Sequence, residues 1–268
     1  MTLLFFGLFL STELFSQDLI VINSTNLKVH DSVWVYKPLT YKGNQTYPVV
    51  YLFHGHSANY KSWSKLSDLQ SLSDRYQFLI VCPDGLKKSW YINSPLRDSS
   101  QYESFLIREL IPEVEKKYQV KPNSNFVTGA SMGGYGALWF LINYPDVFVS
   151  AGSTSGVVDL RHSSFRKTTL AEHFGHYSDT NSRFTDYSIA QNLVRLSGKN
   201  KTFIFDCGTE DYLYKANKNL RDKCDELKLK VTYMASPGGH TGKYWAENLP
   251  RHFEFFSKLI NSTESSVK

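Results

Sequence analysis

The chain has 268 residues, 41% of them hydrophobic and 15% aromatic, and a formal net charge of +5 at pH 7. This length suits one α/β domain or two small ones, and the apolar content excludes an intrinsically disordered chain. The positive charge is modest, and its densest cluster, 160–167, is short and interrupted, so nucleic-acid binding has little support.

The first predicted element in chain order is a secretory signal at residues 1–16. Residues 3–10 are apolar but too few to span a bilayer, and small or polar residues follow them. We expect cleavage after Ser16 and a secreted or periplasmic mature protein. Because no Lys or Arg precedes the apolar run, a buried N-terminal helix or strand is the alternative.

Seven apolar runs of strand length follow, and helix-period segments lie between several of them. The runs occupy residues 28–38, 47–53, 76–82, 125–129, 147–153, 201–207 and 230–236. The helical candidates occupy 102–118, 133–143, 214–227 and 244–259, and Pro112 predicts a kink in the first of them. Strands that are apolar throughout need cover on both faces, so this alternation predicts an α/β fold with a mostly parallel central sheet and helices on both faces.

Residues 158–198 are polar, rich in His and Ser, and weakly periodic. We interpret them as a small lid-like insertion over one end of the sheet. The remainder of 17–268 has no internal repeat or low-complexity linker, which predicts a single domain after the signal segment.

The three cysteines, Cys82, Cys207 and Cys224, do not make a disulfide framework. Cys82 and Cys207 each end an apolar run, which favours small core residues.

Residues 125–140 read NFVTGASMGGYGALWF, which predicts a strand, a turn and a helix around Ser131. Gly129 to Gly133 fit G-x-S-x-G, the nucleophile elbow of α/β-hydrolases. A nucleophile there must adopt a strained backbone conformation, and small neighbours let the strand and helix pass closely. The N–H of Met132, at the helix N-terminus, would then point toward a developing oxyanion. The alternative is a polar residue in a glycine-rich corner.

An acid that orients the base should come from the loop after a later strand. The apolar run 201–207 leads into three competing carboxylates, Asp206, Glu210 and Asp211. Asp206 lies inside the predicted strand, and Glu210 is the nearest rival to Asp211. The local pattern favours Asp211, and its alternative role is to cap the helix that follows.

A base should follow the last strand. His240 comes after residues 230–236 and a Pro-Gly-Gly loop whose glycines let the backbone turn the imidazole over the strand ends. Its Nε2 would take the proton of Ser131 while Asp211 holds the other ring nitrogen. A solvent-exposed loop histidine is the alternative.

The second donor to an oxyanion should follow an early strand. Residues 49–56 read VVYLFHGH, and the main-chain N–H of His56 is the candidate donor, with Gly55 permitting close approach. His54 and His56 could instead be metal ligands, but no carboxylate or third histidine falls at convincing spacing nearby. We therefore expect neither a metal nor a cofactor.

The sequence resembles a known family, the esterases of the α/β-hydrolase fold. This family includes S-formylglutathione hydrolases, tributyrin esterases, feruloyl and acetyl-xylan esterases and the antigen 85 mycolyltransferases. Five blocks carry the resemblance, and they appear in family order from about residue 27 to 257. The blocks are YPVVYLFHGHSANYKSW, VCPDGLKKSWYINSP, VTGASMGGYGALWF, DCGTEDYLYKANKNL and SPGGHTGKYWAENLPRHFEFF.

The resemblance implies the Ser, Asp and His triad that the three loops suggest, and it favours Asp211 over Glu210. It also implies that the N–H groups of His56 and Met132 form the oxyanion hole. Relatives often carry an apolar residue where this chain has His56. Because only the backbone N–H is needed there, that departure bears on substrate preference more than on catalysis.

Trp90 and Tyr91 lie in a family segment near the mouth of the active site, where they would wall a substrate pocket. Ordinary aromatic core is the alternative for both.

The leading hypothesis is a secreted serine carboxylic-ester hydrolase that acts through an acyl-enzyme on short-chain or carbohydrate-linked acetyl or feruloyl esters. The alternatives are acyl transfer to a sugar or lipid acceptor, S-formylglutathione hydrolysis, and a non-catalytic binding protein with a hydrolase fold. The expected partner is a small or polysaccharide-linked ester, and we expect no nucleic-acid partner and no stable membrane insertion.

Overall fold

A computed structural model of the protein describes residues 17–162, 164 and 168–265. The predicted signal segment, 1–16, lies outside the described residues, so its cleavage stays a prediction. Across the part of the chain that is described, no helix is long and apolar enough to cross a membrane.

The described residues form one eight-stranded sheet. Its strands are β1 (Gln17–Ser24), β2 (Val29–Tyr36), β3 (Tyr47–Phe53), β4 (Leu79–Pro83), β5 (Val120–Ala130), β6 (Ser150–Thr154), β7 (Thr202–Gly208) and β8 (Lys230–Ser236). Their order across the sheet is β1-β2-β4-β3-β5-β6-β7-β8. Only β2 runs antiparallel to its neighbours, β1 and β4, and every other pairing is parallel. The predicted mostly parallel sheet is confirmed.

Helices cover both faces of this sheet. They are α1 (Leu69–Tyr76), α2 (Tyr102–Phe105), α3 (Ile111–Lys117), α4 (Met132–Asn143), α5 (Leu170–Phe174), α6 (Arg183–Asp186), α7 (Ile189–Asn192), α8 (Tyr214–Glu226) and α9 (Gly242–Ser265). Successive residues of β3 alternate between two buried apolar clusters, as the period of two requires. Tyr51 and Phe53 pack with residues of α3, α4 and α8, whereas Val50 and Leu52 pack with residues of α1 and α9.

The predicted kink at Pro112 has a definite form. The segment 102–118 divides into α2, a wide π-helical turn at Leu106–Leu110, and α3, in which Pro112 is the second residue. Proline lacks an N–H, and the first turn of a helix is where that lack does least harm. The segment 102–118 is therefore helical as predicted, but the helix is interrupted by the π-helical turn.

Residues 158–198 carry the short helices α5, α6 and α7. Their apolar side chains, including Leu170, Phe184 and Ile189, belong to the same buried cluster as Tyr51 of the sheet. These helices therefore pack directly onto the core, with α7 in contact with α4.

All three cysteines are free and buried. Cys82 and Cys207 lie in the two core clusters, as their places at the ends of apolar runs predicted.

Candidate active site

Three chemically active side chains lie just beyond the carboxyl ends of parallel strands. Ser131 follows β5, Asp211 follows β7, and His240 follows β8. The order β5-β6-β7-β8 brings these ends to one edge of the sheet, where α/β proteins form their clefts.

Ser131 sits on a sharp turn between β5 and α4. Its backbone has φ 56° and ψ −115°, in the left-handed region that a residue with a Cβ adopts only at a cost. Its N–H donates to the carbonyl of Thr154 at 2.9 Å, and its own carbonyl accepts from the N–H of Tyr135 at 3.0 Å. These bonds to β6 and α4 hold the turn in this conformation.

The glycines on either side of the turn are required by close packing. A Cβ at Gly129 would lie 2.6 Å from the carbonyl oxygen of Phe53, and a Cβ at Gly133 would lie 2.4 Å from the same atom. The end of β3 thus passes directly against the turn, and only residues without a side chain leave room for it.

His240 bridges the other two side chains. Its Nε2 lies 2.9 Å from Ser131 Oγ, and its Nδ1 lies 2.9 Å from Asp211 Oδ2. Two aromatic rings contact the imidazole. The centroid of Tyr212 lies 4.8 Å away, and that of Trp245 lies 5.1 Å away and nearly perpendicular. The three candidates therefore form one hydrogen-bonded line.

Asp211 occupies an environment suited to a carboxylate. Burial raises its pKa, but hydrogen bonds from His240 and from the N–H of Leu213, the latter at 2.8 Å, outweigh burial and leave the pKa below its ordinary value. The helix-capping alternative is wrong, because Leu213 is the N-cap of α8 and no side chain caps this helix. Oδ1 of Asp211 accepts from the N–H of Leu213 just before the helix, and Oδ2 faces His240.

The two rival carboxylates lie elsewhere. Asp206 is fully buried within β7 and pairs with His252 of α9, with Oδ2 and Nε2 2.8 Å apart. Glu210 is exposed. The structure thus brings Asp211, and neither rival, to His240.

The candidate oxyanion donors flank Ser131. Met132 is the first residue of α4, so its N–H has no partner within the helix. His56 lines the same cavity as Ser131, and a Cβ at the preceding Gly55 would lie 3.8 Å from the Cβ of Ser131.

The His56 side chain turns toward α5. Its Nε2 lies 2.8 Å from Thr169 Oγ1, which also accepts from the indole N–H of Trp90 at 3.1 Å. Burial and the nearby charge of Lys88 lower the pKa of His56, which favours the neutral imidazole.

A cavity of about 410 Å³ opens over Ser131. Its lining residues are His56, Trp90, Ser131, Val157, Ser164, Thr168 and Tyr212. Ser164 and Thr168 belong to the stretch 158–198, which therefore forms part of the cavity wall.

The two predicted pocket aromatics differ in position. Trp90 faces the cavity. Tyr91 lies in the core instead, stacked on Phe53 with centroids 4.2 Å apart, and its hydroxyl donates to the carbonyl of His54 at 2.9 Å. For Tyr91 the pocket prediction is wrong and the core alternative describes its position, because its ring is fully buried away from the cavity lining.

Sequence reasoning missed Tyr212, Trp245 and Thr169. The first two carried a usable signal, since Tyr212 directly follows Asp211 and Trp245 lies five residues after His240. Thr169 lies in the weakly periodic insertion and carried none.

His54 is engaged by the backbone. Its Nε2 accepts from the N–H of Gly85 at 2.7 Å, its Nδ1 lies 2.8 Å from the carbonyl oxygen of Gly55, and burial lowers its pKa. Both ring nitrogens are thereby used. Among the described residues there is no group of three or more His, Cys, Asp or Glu that could hold a metal ion.

The family model described as "Putative esterase" matches residues 24–256. The chain belongs to this esterase family. This esterase is a hydrolase of carboxylic esters, and the resemblance inferred from the five sequence blocks is confirmed.

Individual relatives agree. The esterase is 26% identical over 223 residues to an acetyl esterase of Caldicellulosiruptor saccharolyticus, a match that spans 78% of this chain and 83% of the relative. Two solved structures each match 90% of the chain. They are fluorophosphonate-binding serine hydrolase F of Staphylococcus aureus (TM-score 0.79, 19% identity, 98% of that chain) and a ferulic acid esterase (TM-score 0.78, 21% identity, 97% of that chain). At these identities the structural likeness establishes the fold alone.

Proposed function

We propose that this esterase hydrolyses short-chain or carbohydrate-linked esters, acetyl and feruloyl esters above all, through an acyl-enzyme formed on Ser131. One observation carries the proposal. The Ser131 hydroxyl, the His240 imidazole and the Asp211 carboxylate are joined by two contacts of 2.9 Å. Such a line is what activates a serine for attack on a carbonyl.

Acylation begins when Ser131 Oγ attacks the ester carbonyl carbon and its proton passes to Nε2 of His240. Asp211, ionised because its pKa is lowered, stabilises the imidazolium through Nδ1. The carbonyl oxygen becomes an oxyanion, for which the N–H groups of His56 and Met132 are the donors. His240 then returns the proton to the leaving alcohol oxygen as the C–O bond breaks.

Deacylation repeats these steps with water. A water molecule gives its proton to His240 and attacks the acyl carbon. The tetrahedral intermediate then collapses, the carboxylic acid leaves, and Ser131 regains its proton from His240. If a sugar hydroxyl replaced water in this step, the same groups would transfer the acyl group, and analysis of the products formed with added acceptor sugars distinguishes the two reactions.

The volume and the lining of the cavity suit a small acyl group that packs against an aromatic wall. Its volume of about 410 Å³ falls in the range of small-molecule sites, and Trp90 and Tyr212 contribute flat aromatic surface to its lining. The acetyl esterase and the ferulic acid esterase among the similar proteins favour the same two acyl groups.

Export is part of the proposal. Residues 1–16 have the apolar core and small-residue end of a secretory signal, which favours ester substrates outside the cytoplasm. Mass spectrometry of the protein recovered from its native host should give an N-terminus at Gln17. An intact Met1 on cytosolic protein would contradict export without affecting the chemistry.

The decisive experiment replaces the nucleophile. Ser131→Ala should lower kcat on p-nitrophenyl acetate by about four to six orders of magnitude, and the variant should no longer be labelled by a fluorophosphonate probe. Ser73→Ala, a change at a buried serine of α1 whose hydroxyl donates to the carbonyl of Phe78, is the matched control and should still be labelled. Full activity in Ser131→Ala would refute the assignment.

A further inference from the structure

A second cavity, of about 730 Å³, lies next to the catalytic one. We call it the basic groove and define it by six of its lining residues, Asp159, Arg161, Tyr177, Lys215, Asn219 and Lys223. The mechanism above uses none of them.

The linings of the basic groove and of the catalytic cavity are close to each other along the chain at two places. Val157 lines the catalytic cavity, and Asp159, two residues further along the chain, lines the groove. Tyr212 likewise lines the catalytic cavity, and Lys215 lines the groove three residues later. Three residues span at most about 10 Å of chain, so a polymeric substrate whose ester carbonyl lies at Ser131 is long enough to reach the groove.

The groove carries excess positive charge. Three cationic side chains face a single carboxylate, Asp159, which Arg161 already holds through Nε at 2.9 Å and Nη2 at 2.7 Å. The structure gives Lys215 no ion-pair partner among the described residues. Lys223 pairs with Glu226, and both side chains of that pair are more than two-fifths exposed, so the pair holds the lysine only weakly.

The lysines are arranged in a row. Lys215, Asn219 and Lys223 follow one another at intervals of four along α8, so they share one face of the helix. Leu220 and Cys224 face the core instead. The side-chain amide of Asn219 lies between the two lysine ammonium groups along this face and can hydrogen-bond sugar hydroxyls. The ring of Tyr177 adds an amphipathic surface opposite.

From this arrangement we infer that the basic groove binds a glycan bearing carboxylates, a uronate-containing polysaccharide, as the alcohol portion of the ester substrate. The inference rests on the proposed function, because it assigns the substrate of the same site. Uronate carboxylates pair with Lys215 and Lys223, sugar hydroxyls bond Asn219, and the ester to be cleaved reaches Ser131. A neutral glycan would leave the lysine row unused.

Substrate selectivity tests this inference. The ratio of kcat/KM on acetylated polygalacturonate to kcat/KM on acetylated neutral xylan should be high in the wild type and should fall at 0.5 M salt, because exposed charge pairs are screened. Lys215→Glu combined with Lys223→Glu should lower the ratio about tenfold. The reason is that each substitution replaces an exposed ion pair between a lysine and a uronate carboxylate by repulsion. Lys218→Glu makes one such charge reversal on the same helix outside the groove and should keep the wild-type ratio.

Direct binding gives a second, independent measurement. The Ser131→Ala protein should bind an unacetylated galacturonate oligosaccharide in calorimetry and should bind a neutral xylo-oligosaccharide of equal length more weakly. Adding the two groove substitutions should abolish the difference. An equal affinity for both sugars, or a selectivity ratio that the groove substitutions leave at the Lys218→Glu value, would overturn the inference.

The two proposals fail in different ways. Loss of the groove inference leaves p-nitrophenyl acetate hydrolysis dependent on Ser131. Loss of the proposed function appears as activity that survives Ser131→Ala, whatever the sugar selectivity.

Discussion

The rings of Tyr212 and His240 lie against each other, with centroids 4.8 Å apart and planes inclined by 50°. Tyr212 is 50% exposed and lines the catalytic cavity, so one residue both supports the candidate base and forms part of the substrate wall.

Removing this ring should therefore affect turnover and binding together. An aromatic pair contributes about 0.5–1.5 kcal/mol beyond burial, so Tyr212→Ala should lower kcat/KM on a feruloyl ester by about two- to tenfold. Tyr212→Phe keeps the ring and should stay within twofold of the wild type. Steady-state kinetics on methyl ferulate distinguishes the pair, and equal loss in both variants would show that the hydroxyl, rather than the ring, matters.

The choice between Asp211 and Glu210 can be tested by neutral isosteres. Asp211→Asn removes the acceptor that holds Nδ1 of His240, so kcat should fall by about 10⁴ with the fold intact. Glu210→Gln, at an exposed position, should keep activity near wild type. A dead Glu210→Gln enzyme beside an active Asp211→Asn enzyme would reverse the assignment.

Close packing at the elbow gives a stability prediction. In Gly133→Ala the new Cβ would lie 2.4 Å from the carbonyl oxygen of Phe53, a rigid backbone atom, so the free energy of unfolding should fall by roughly 1–3 kcal/mol or more. Gly43→Ala is the matched control, since no atom lies within 4 Å of a Cβ there, and it should change stability by about 0.5 kcal/mol or less. Urea unfolding measures both.

Asp31 gives the protein a stability that depends on pH. Burial, reinforced by the charge of Asp84, raises its pKa to about 9 and outweighs the hydrogen bond from the backbone of Asp84, which lowers it. Its unfolded pKa is about 3.9. Because the pKa of Asp31 is higher in the folded protein than in the unfolded chain, folding favours the protonated side chain. The contribution of Asp31 to the free energy of unfolding is therefore complete below about pH 3.9 and is lost as the pH rises toward 9. The slope is about 1.4 kcal/mol per pH unit.

Asp31→Asn mimics the protonated side chain and should remove this slope. The variant should unfold at a higher temperature than the wild type at pH 8, and the difference should nearly vanish at pH 4. Differential scanning calorimetry at the two pH values makes the comparison, and a variant less stable at pH 8 would show that Asp31 is ionised in the folded state.

The buried pair of Asp206 and His252 gives a further prediction. Both side chains are fully buried, and His252 also lies 2.7 Å from Thr128 Oγ1 through Nδ1. His252→Leu would leave the buried carboxyl of Asp206 with the hydroxyl of Thr154, 3.0 Å from Oδ2, but without its imidazole partner, so the free energy of unfolding should fall by about 1–3 kcal/mol. Lys218→Ala breaks an exposed pair on α8 and should leave the urea midpoint unchanged. Adding Asp206→Leu to His252→Leu should recover part of the loss.

Local features were predictable from sequence because local physics determines them. β3 and β8 begin and end at the predicted residues, since turn-forming residues bound each apolar run. The turn around Ser131 was predictable because only a strand, small residues and a helix in that order can form it.

Features that depend on distant residues were not predictable. β1 was missed because it is an edge strand with Leu19 and Val21 more than half exposed, so its apolar pattern does not mark a core. The pairing of Asp206 with His252 joins residues 46 positions apart, and no local pattern encodes it.

The different positions of Trp90 and Tyr91 have a backbone cause. Both residues have positive φ, 54° and 58°, so the chain turns sharply between the cavity and the core. No propensity rule anticipates two consecutive left-handed bulky residues, because each is strained by itself.

The single hydroxyl of Thr169 joins the His56 loop, the Trp90 loop and α5. Any exchange of the 158–198 segment with the equivalent part of a relative must therefore supply a side chain at this position that both accepts from an indole and meets an imidazole. A chimaera without such a side chain at position 169 would lose the alignment of the His56 amide even with every triad residue in place. Loop grafting in this esterase therefore has to move the loop that carries His56, the loop that carries Trp90 and the segment that carries α5 together.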